Sequence, residues 1–158
     1  MDEIYLQHGF FSEMAASRFC TGPQGTLQIQ ALMAQFRNHP PLVLDTHQFV
    51  GVHDYGKNEC RQLPENTFTS PLETPEGDLL FFETGDPNDS SQFRFAVRPS
   101  GTEPKIKFYF YGSTICQDKE DLEQIKQDTR QSLDQLKNSL LKWVDAFLEH
   151  DPSSSDRL

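Results

Sequence analysis

The sequence predicts an α+β fold, a single domain in which one antiparallel or mixed sheet of four or five strands is packed by two helices. Three observations carry this. Residues 93–97 and 106–111 alternate strictly, with Phe93, Phe95, Val97, Ile106, Phe108 and Phe110 on one side and Arg94, Lys107, Tyr109 and Tyr111 on the other. Period-2 patterning of aromatic and β-branched residues marks half-buried strands. Two further stretches, 23–38 and 118–150, carry apolar residues at helical spacing.

Taken in order, residues 2–8 read as a short helix stopped by Gly9 at the usual C-terminal position. A strand over residues 10–20 follows. Gly22-Pro23-Gln24-Gly25 then opens a helix whose Ile29, Leu32, Met33 and Phe36 obey the i, i+3, i+4, i+7 rule. Pro40-Pro41 ends it, because proline lacks the N–H and its ring clashes with the preceding turn. Residues 47–55 make a short strand around Phe49-Val50-Gly51-Val52. Residues 56–77, with Pro64, Pro71 and Pro75 among polar side chains, read as a long loop. Residues 79–84 form a strand that turns at Gly85 into the strand of residues 93–97.

The last element is a helix over 118–150, with Asp118 as its cap and Glu120 and Asp121 suited to the positive end of its dipole. Leu122, Ile125, Leu133, Leu136, Leu140, Val144 and Phe147 form its stripe, with Trp143 beside it. A stripe of about eight turns exceeds what a small sheet covers, so its distal half is expected in solvent or against another domain or chain. The tail, 151–158, reads as disordered.

With 158 residues the chain has the size of one ordinary domain, and 13 phenylalanines supply much of its core. Cys20, Cys60 and Cys116 are odd in number and far apart, without a Cys-x-x-Cys, which fits free thiols in a reducing compartment. No stretch reaches the ~18 apolar residues of a membrane span. No signal peptide is evident, and a cytoplasmic location is expected. The formal net charge of −10 argues against nucleic acid and anionic membrane as partners. His47 and His53 could approach Cys60, but nothing has metal-ligand spacing, so no metal site is assigned.

Within this acidic chain Arg94, Arg98, Lys105 and Lys107 make a basic island around Arg98-Pro99-Ser100-Gly101-Thr102-Glu103-Pro104-Lys105. Arginine offers a planar fork matched to phosphate oxygens. Ser100 and Thr102 offer hydroxyls, and Gly101 lets a backbone nest approach an anion. Arg98, Ser100, Gly101, Thr102 and Lys105 are therefore the candidate phosphate-binding residues. Lys107 reads as ordinary strand decoration.

Residues 98–104 match Arg-x-Ser-Gly-Thr-Glu-Pro, and the octapeptide resembles the phosphate-binding loop in the C-terminal, fourth domain of the α-D-phosphohexomutases (phosphoglucomutases and phosphomannomutases). Tyr5-Leu6-Gln7-His8-Gly9-Phe10-Phe11 and the Gly22-Pro23-Gln24-Gly25 helix resemble that domain more loosely. The resemblance implies a TATA-binding-protein-like fold, with residues 1–9 the end of a preceding-domain helix or hinge and 10–150 the domain itself. It implies that the loop holds the non-transferred phosphate of a hexose phosphate or hexose bisphosphate while 1- and 6-phosphates interconvert.

The family's phosphoserine loop has no counterpart here, and Ala15-Ala16-Ser17-Arg18 does not fit it. Its Asp-x-Asp-x-Asp magnesium site and its sugar-reading segment are missing as well. No catalytic residue and no cofactor are thus assigned to this chain. Magnesium and the N-terminal mutase domains belong to the complete enzyme, and the isolated chain is expected to be inactive. The alternative is a stand-alone phosphosugar-binding or regulatory module.

Overall fold

The computed structural model describes residues 1–73, 76–85 and 89–151. Eight strands form one sheet: β1 (Phe10–Phe19), β2 (Val43–Leu44), β3 (His47–Asp54), β4 (Glu59–Gln62), β5 (Thr67–Pro71), β6 (Leu80–Thr84), β7 (Ser91–Pro99) and β8 (Lys105–Thr114). Their order is β1-β8-β7-β6-β3-β4-β5, with β2 paired to β3, and every pairing is antiparallel. Helices α2 (Gly25–Asn38) and α3 (Leu122–His150) lie on one face, and α1 (Asp2–His8) precedes β1. This is the expected α+β domain with a larger sheet.

The size difference has a physical origin. The three additional strands are too short or too polar to betray themselves by alternation. β2 has two residues, β4 reads Glu-Cys-Arg-Gln, and β5 is exposed throughout. The polar stretch after residue 56 is therefore a β-hairpin rather than a loop. Apart from Leu63, which is buried in the core, it is held by polar side chains. Arg61 donates to Asp54, Glu59, Asn66 and the Arg37 carbonyl at 2.7–3.1 Å, and Arg37 donates to Asp54 at 2.8 Å. Asp54 is fully buried and also accepts the amides of Gly56 and Lys57 at 3.1 Å. Burial alone would raise its carboxyl, but bonds from Arg37 and Arg61 hold it below the ordinary carboxylate range.

The core lies between the sheet and the two helices. Phe36 of α2 meets Phe82, Phe95, Phe108 and Trp143 at centroid distances of 4.7–6.3 Å. The distal half of α3 is not left to solvent or a partner. Leu136, Leu140 and Val144 are fully buried, because α3 packs on β1, β8, β2 and α2. Asp118 makes no side-chain cap. The helix is instead entered through a single 3-10 turn, Lys119–Asp121, and Cys116 Sγ donates to the Asp118 carbonyl at 3.1 Å. The predicted tail beyond Asp151 lies outside the described residues.

Gly9 and Gly25 are required by geometry. Gly9 has φ +84°, and a Cβ there would stand 2.9 Å from the Thr114 carbonyl oxygen. At Gly25 a Cβ would collide with the Cys20 carbonyl, so the tight corner from β1 into α2 tolerates no side chain.

Candidate phosphate-binding site

The sheet buries one face and leaves the other without helices. Phe93, Phe95, Val97, Ile106, Phe108 and Phe110 point into the core. Arg98 and Lys107 are direct cross-strand partners, so they stand side by side on the opposite face. The alternation that drives β7 and β8 to pair is therefore what places the cations on the open side.

The loop between the strands is tied down at its base. The Ser100 amide donates to the Lys105 carbonyl at 2.9 Å and the Lys105 amide to the Glu103 carbonyl at 2.7 Å. The Pro104 carbonyl accepts the Cys20 amide at 2.8 Å, which joins the loop to the corner whose tightness demands Gly25. Ser100 Oγ accepts the Thr102 amide at 3.4 Å, a local turn that leaves the Ser100 hydroxyl proton free to donate outward. The amides of Gly101 and Glu103 find no acceptor among the described residues. A Cβ built on Gly101 would meet nothing within 4 Å. The fold does not need a glycine there, whereas close approach of a ligand would.

The cations differ. Among the described residues Arg98 makes no hydrogen bond or ion pair, and it is exposed. Lys105 is engaged: its Nζ lies 2.9 Å from Glu103 Oε2 and 5.2 Å from the Phe19 ring centroid, with only 19% of its side chain exposed. The Lys105 ammonium, with Lys107 contributing, holds the Glu103 carboxyl below its usual range. Of the five predicted residues, Arg98, Ser100, Gly101 and Thr102 are thus brought together unspent, while Lys105 is bound to its neighbour. Lys107, read from the sequence as decoration, stands beside Arg98. The strand register was the signal that could have found it. Three cations and one carboxylate meet here, an arrangement suited to gripping a dianion at the end of a rigid hairpin.

Among the described residues no comparable site forms elsewhere. His53 and Cys60 are cross-strand partners, but His53 pairs with Glu83 at 3.3 Å, and His47 sits at the far end of β3. Among the described residues no three His, Cys, Asp or Glu side chains converge as a metal site, and no helix is long and apolar enough to cross a membrane.

Comparison with known proteins supplies the relatives. The chain is 32% identical over 126 residues to phosphoglucomutase from Staphylococcus aureus (strain MRSA252), covering 78% of this chain and 21% of that protein. It is 32% identical over 112 residues to phosphoglucomutase from Staphylococcus saprophyticus, covering 70% and 19%. The chain is a phosphohexomutase-family domain. It spans about a fifth of the length of the curated relatives it matches. No family model matches it. Among solved structures, Pseudomonas putida CBB5 NdmB aligns with TM-score 0.40 and 12% identity over 94% of this chain and 45% of its own, too loosely to carry an argument.

Proposed function

We propose that this domain is the phosphate clip of a phosphohexomutase acting on glucose or mannose phosphates in the cytoplasm, with residues 10–150 forming the clip and residues 1–9 linking it to the domains before it. Its loop takes the phosphate that is not being transferred. Arg98 binds two phosphate oxygens through its fork, Lys107 adds charge from the neighbouring strand, and Ser100, Thr102 and the Gly101 amide complete the cradle. Lys105 swings to the phosphate by exchanging Glu103 for a ligand of greater charge. The observation that carries this reading is an unspent arginine beside a loop glycine the fold does not require, in a chain related to phosphoglucomutases.

The rest follows from how such a clip serves catalysis. Binding energy spent on a remote phosphate positions the reacting one. A clip on a domain that can move also lets a bisphosphorylated intermediate leave the loop and return reversed. The phosphoryl-carrying serine and the magnesium that would neutralise charge on the transferring group lie, in this reading, in the preceding domains; no group among the described residues would hold that metal.

Phosphorus NMR tests the clip. The glucose 6-phosphate resonance should broaden on adding this chain and stay sharp with Arg98→Ala. With one loop supplying only a few charge-assisted bonds, the affinity should be no better than about millimolar. Equal broadening by both proteins would place the phosphate elsewhere. A coupled assay on glucose 1-phosphate with magnesium should find no turnover by this chain alone.

A further inference from the structure

β1 is the terminal strand of the sheet, ten residues long, and among the described residues its outer backbone edge has no partner strand. Native proteins usually blunt such an edge with lysine, proline or a bulge. β1 has neither lysine nor proline, and its register with β8 runs unbroken from Phe10 to Phe19. On the face without helices it presents Phe11, Glu13, Ala15, Ser17 and Phe19. Phe11 is 62% exposed and Phe19 60%, whereas eight of the 13 phenylalanines are buried.

The spacing of these side chains is self-complementary. When two copies of β1 pair antiparallel about a twofold axis through Ala15, Phe11 of each copy falls opposite Phe19 of the other. Glu13 falls opposite Ser17, and Ala15 meets Ala15. On the helix side Ser12 faces Arg18 and Met14 faces Ala16. No like charges oppose one another, and the smallest side chain of the exposed face sits on the axis. A two-residue slip either way places Phe11 against Ser17 or Phe19 against Glu13, losing the aromatic pairs. Cross-strand aromatic pairs are among the better contacts a sheet can make.

We infer that the β1 edge is an interface for a second copy of this chain, paired antiparallel in the register that places Ala15 on the twofold axis. The two sheets then run on as one, with helices on the same side in both copies. The phosphate loop joins β7 to β8, one strand in from the pairing edge, and touches that edge only where Lys105 lies over Phe19.

The register makes a sharp test. Directly opposed residues on antiparallel strands have Cα atoms roughly 4.5–5.5 Å apart, within the range a disulfide spans. In a Cys60→Ser background, Ala15→Cys should form a disulfide-linked dimer under mild oxidation at least about tenfold faster than Ser17→Cys, whose position faces Glu13 of the second copy. Both positions lie on the exposed strand face, and circular dichroism verifies that both variants fold. Sedimentation of the unmodified chain at ~100 μM, where small interfaces assemble, should show twice its 18.1 kDa mass. Ala15→Lys should return it to the monomer by placing two ammonium groups on the axis. A chain that stays monomeric, a dimer indifferent to Ala15→Lys, or equal cross-linking at positions 15 and 17 would overturn the proposal. None of these outcomes bears on phosphate binding at Arg98.

Discussion

Arg61 and Arg98 stand on strands of the same sheet, yet their surroundings are opposite. Arg61 is buried and makes four hydrogen bonds, to Asp54, Glu59, Asn66 and the Arg37 carbonyl. Arg98 is exposed and, among the described residues, makes none. The difference lies in the carboxylates. At the hairpin Asp54, Glu59 and Asp78 surround two arginines and saturate them. At the loop Glu103 is taken by Lys105, with Lys107 close enough to add to its field, and among the described residues Arg98 has no protein anion. An arginine whose donors are spent holds the fold; one whose donors are unspent on a rigid turn is available to a ligand.

The strongest way to break this contrast is at Asp54. Asp54→Ala removes the buried carboxylate shared by the half-buried Arg37 and the buried Arg61, leaving only Asp78 and Glu59 at their outer sides, and urea unfolding should show a loss of about 3–5 kcal/mol. A loss under about 1 kcal/mol would mean that the cluster is not what holds β4 and β5 in place.

Acid should attack the same region. The Asp54 carboxyl is held below its ordinary value near 3.9 in the folded state, so the unfolded chain binds the proton more readily. Its contribution is complete above about pH 4 and is lost as the pH falls through the lower, folded value. Acid titration followed by amide exchange should release β4 and β5, while Asp54→Asn removes that portion of the pH dependence.

Arg98→Ala should do the reverse of Asp54→Ala. Stability should change by no more than about 0.5 kcal/mol, as at other exposed positions. Binding of glucose 6-phosphate should weaken by about 1.5–3 kcal/mol, roughly 10- to 150-fold. An unfolded variant would make Arg98 a second structural arginine and erase the contrast.

The smallest effect sharpens the picture of the loop. Glu103→Gln frees Lys105 from its ion pair, and phosphate affinity should rise by up to about fivefold, the scale of an exposed pair. Unchanged affinity would show that Lys105 does not reach the ligand.

Much of this was legible in the sequence, for reasons that also explain the failures. The strands of residues 93–97 and 106–111 announced themselves because one face is buried and the other wet, which forces alternation. The stripe Ile29, Leu32, Met33 and Phe36 is buried as its spacing required. β4 and β5 were invisible because Arg61, Asn66 and Asp54 hold them, and no periodicity encodes a hydrogen-bond network between residues 37 and 66. The distal half of α3 looked uncovered because the sequence does not show how β1, β8 and α2 converge on one helix face; that convergence, not β4 or β5, buries it. At the loop, Arg98, Ser100, Gly101 and Thr102 could be named from a contiguous motif. Lys107 could not, since its place beside Arg98 depends on a register that only the paired strands define. Nor could the sequence reveal that Lys105 is occupied by Glu103.

The central claim is that an unspent cationic loop, and not the saturated cluster, receives phosphate. Backbone amide NMR of the 158-residue chain, titrated with glucose 6-phosphate into the tens of millimolar, tests it most directly. The account predicts shifts concentrated in residues 98–107, largest at Gly101 and Thr102, with Asp54, Arg61 and their neighbours unmoved. Shifts centred on the Arg37–Asp54–Arg61 cluster, or none at the loop, would contradict it.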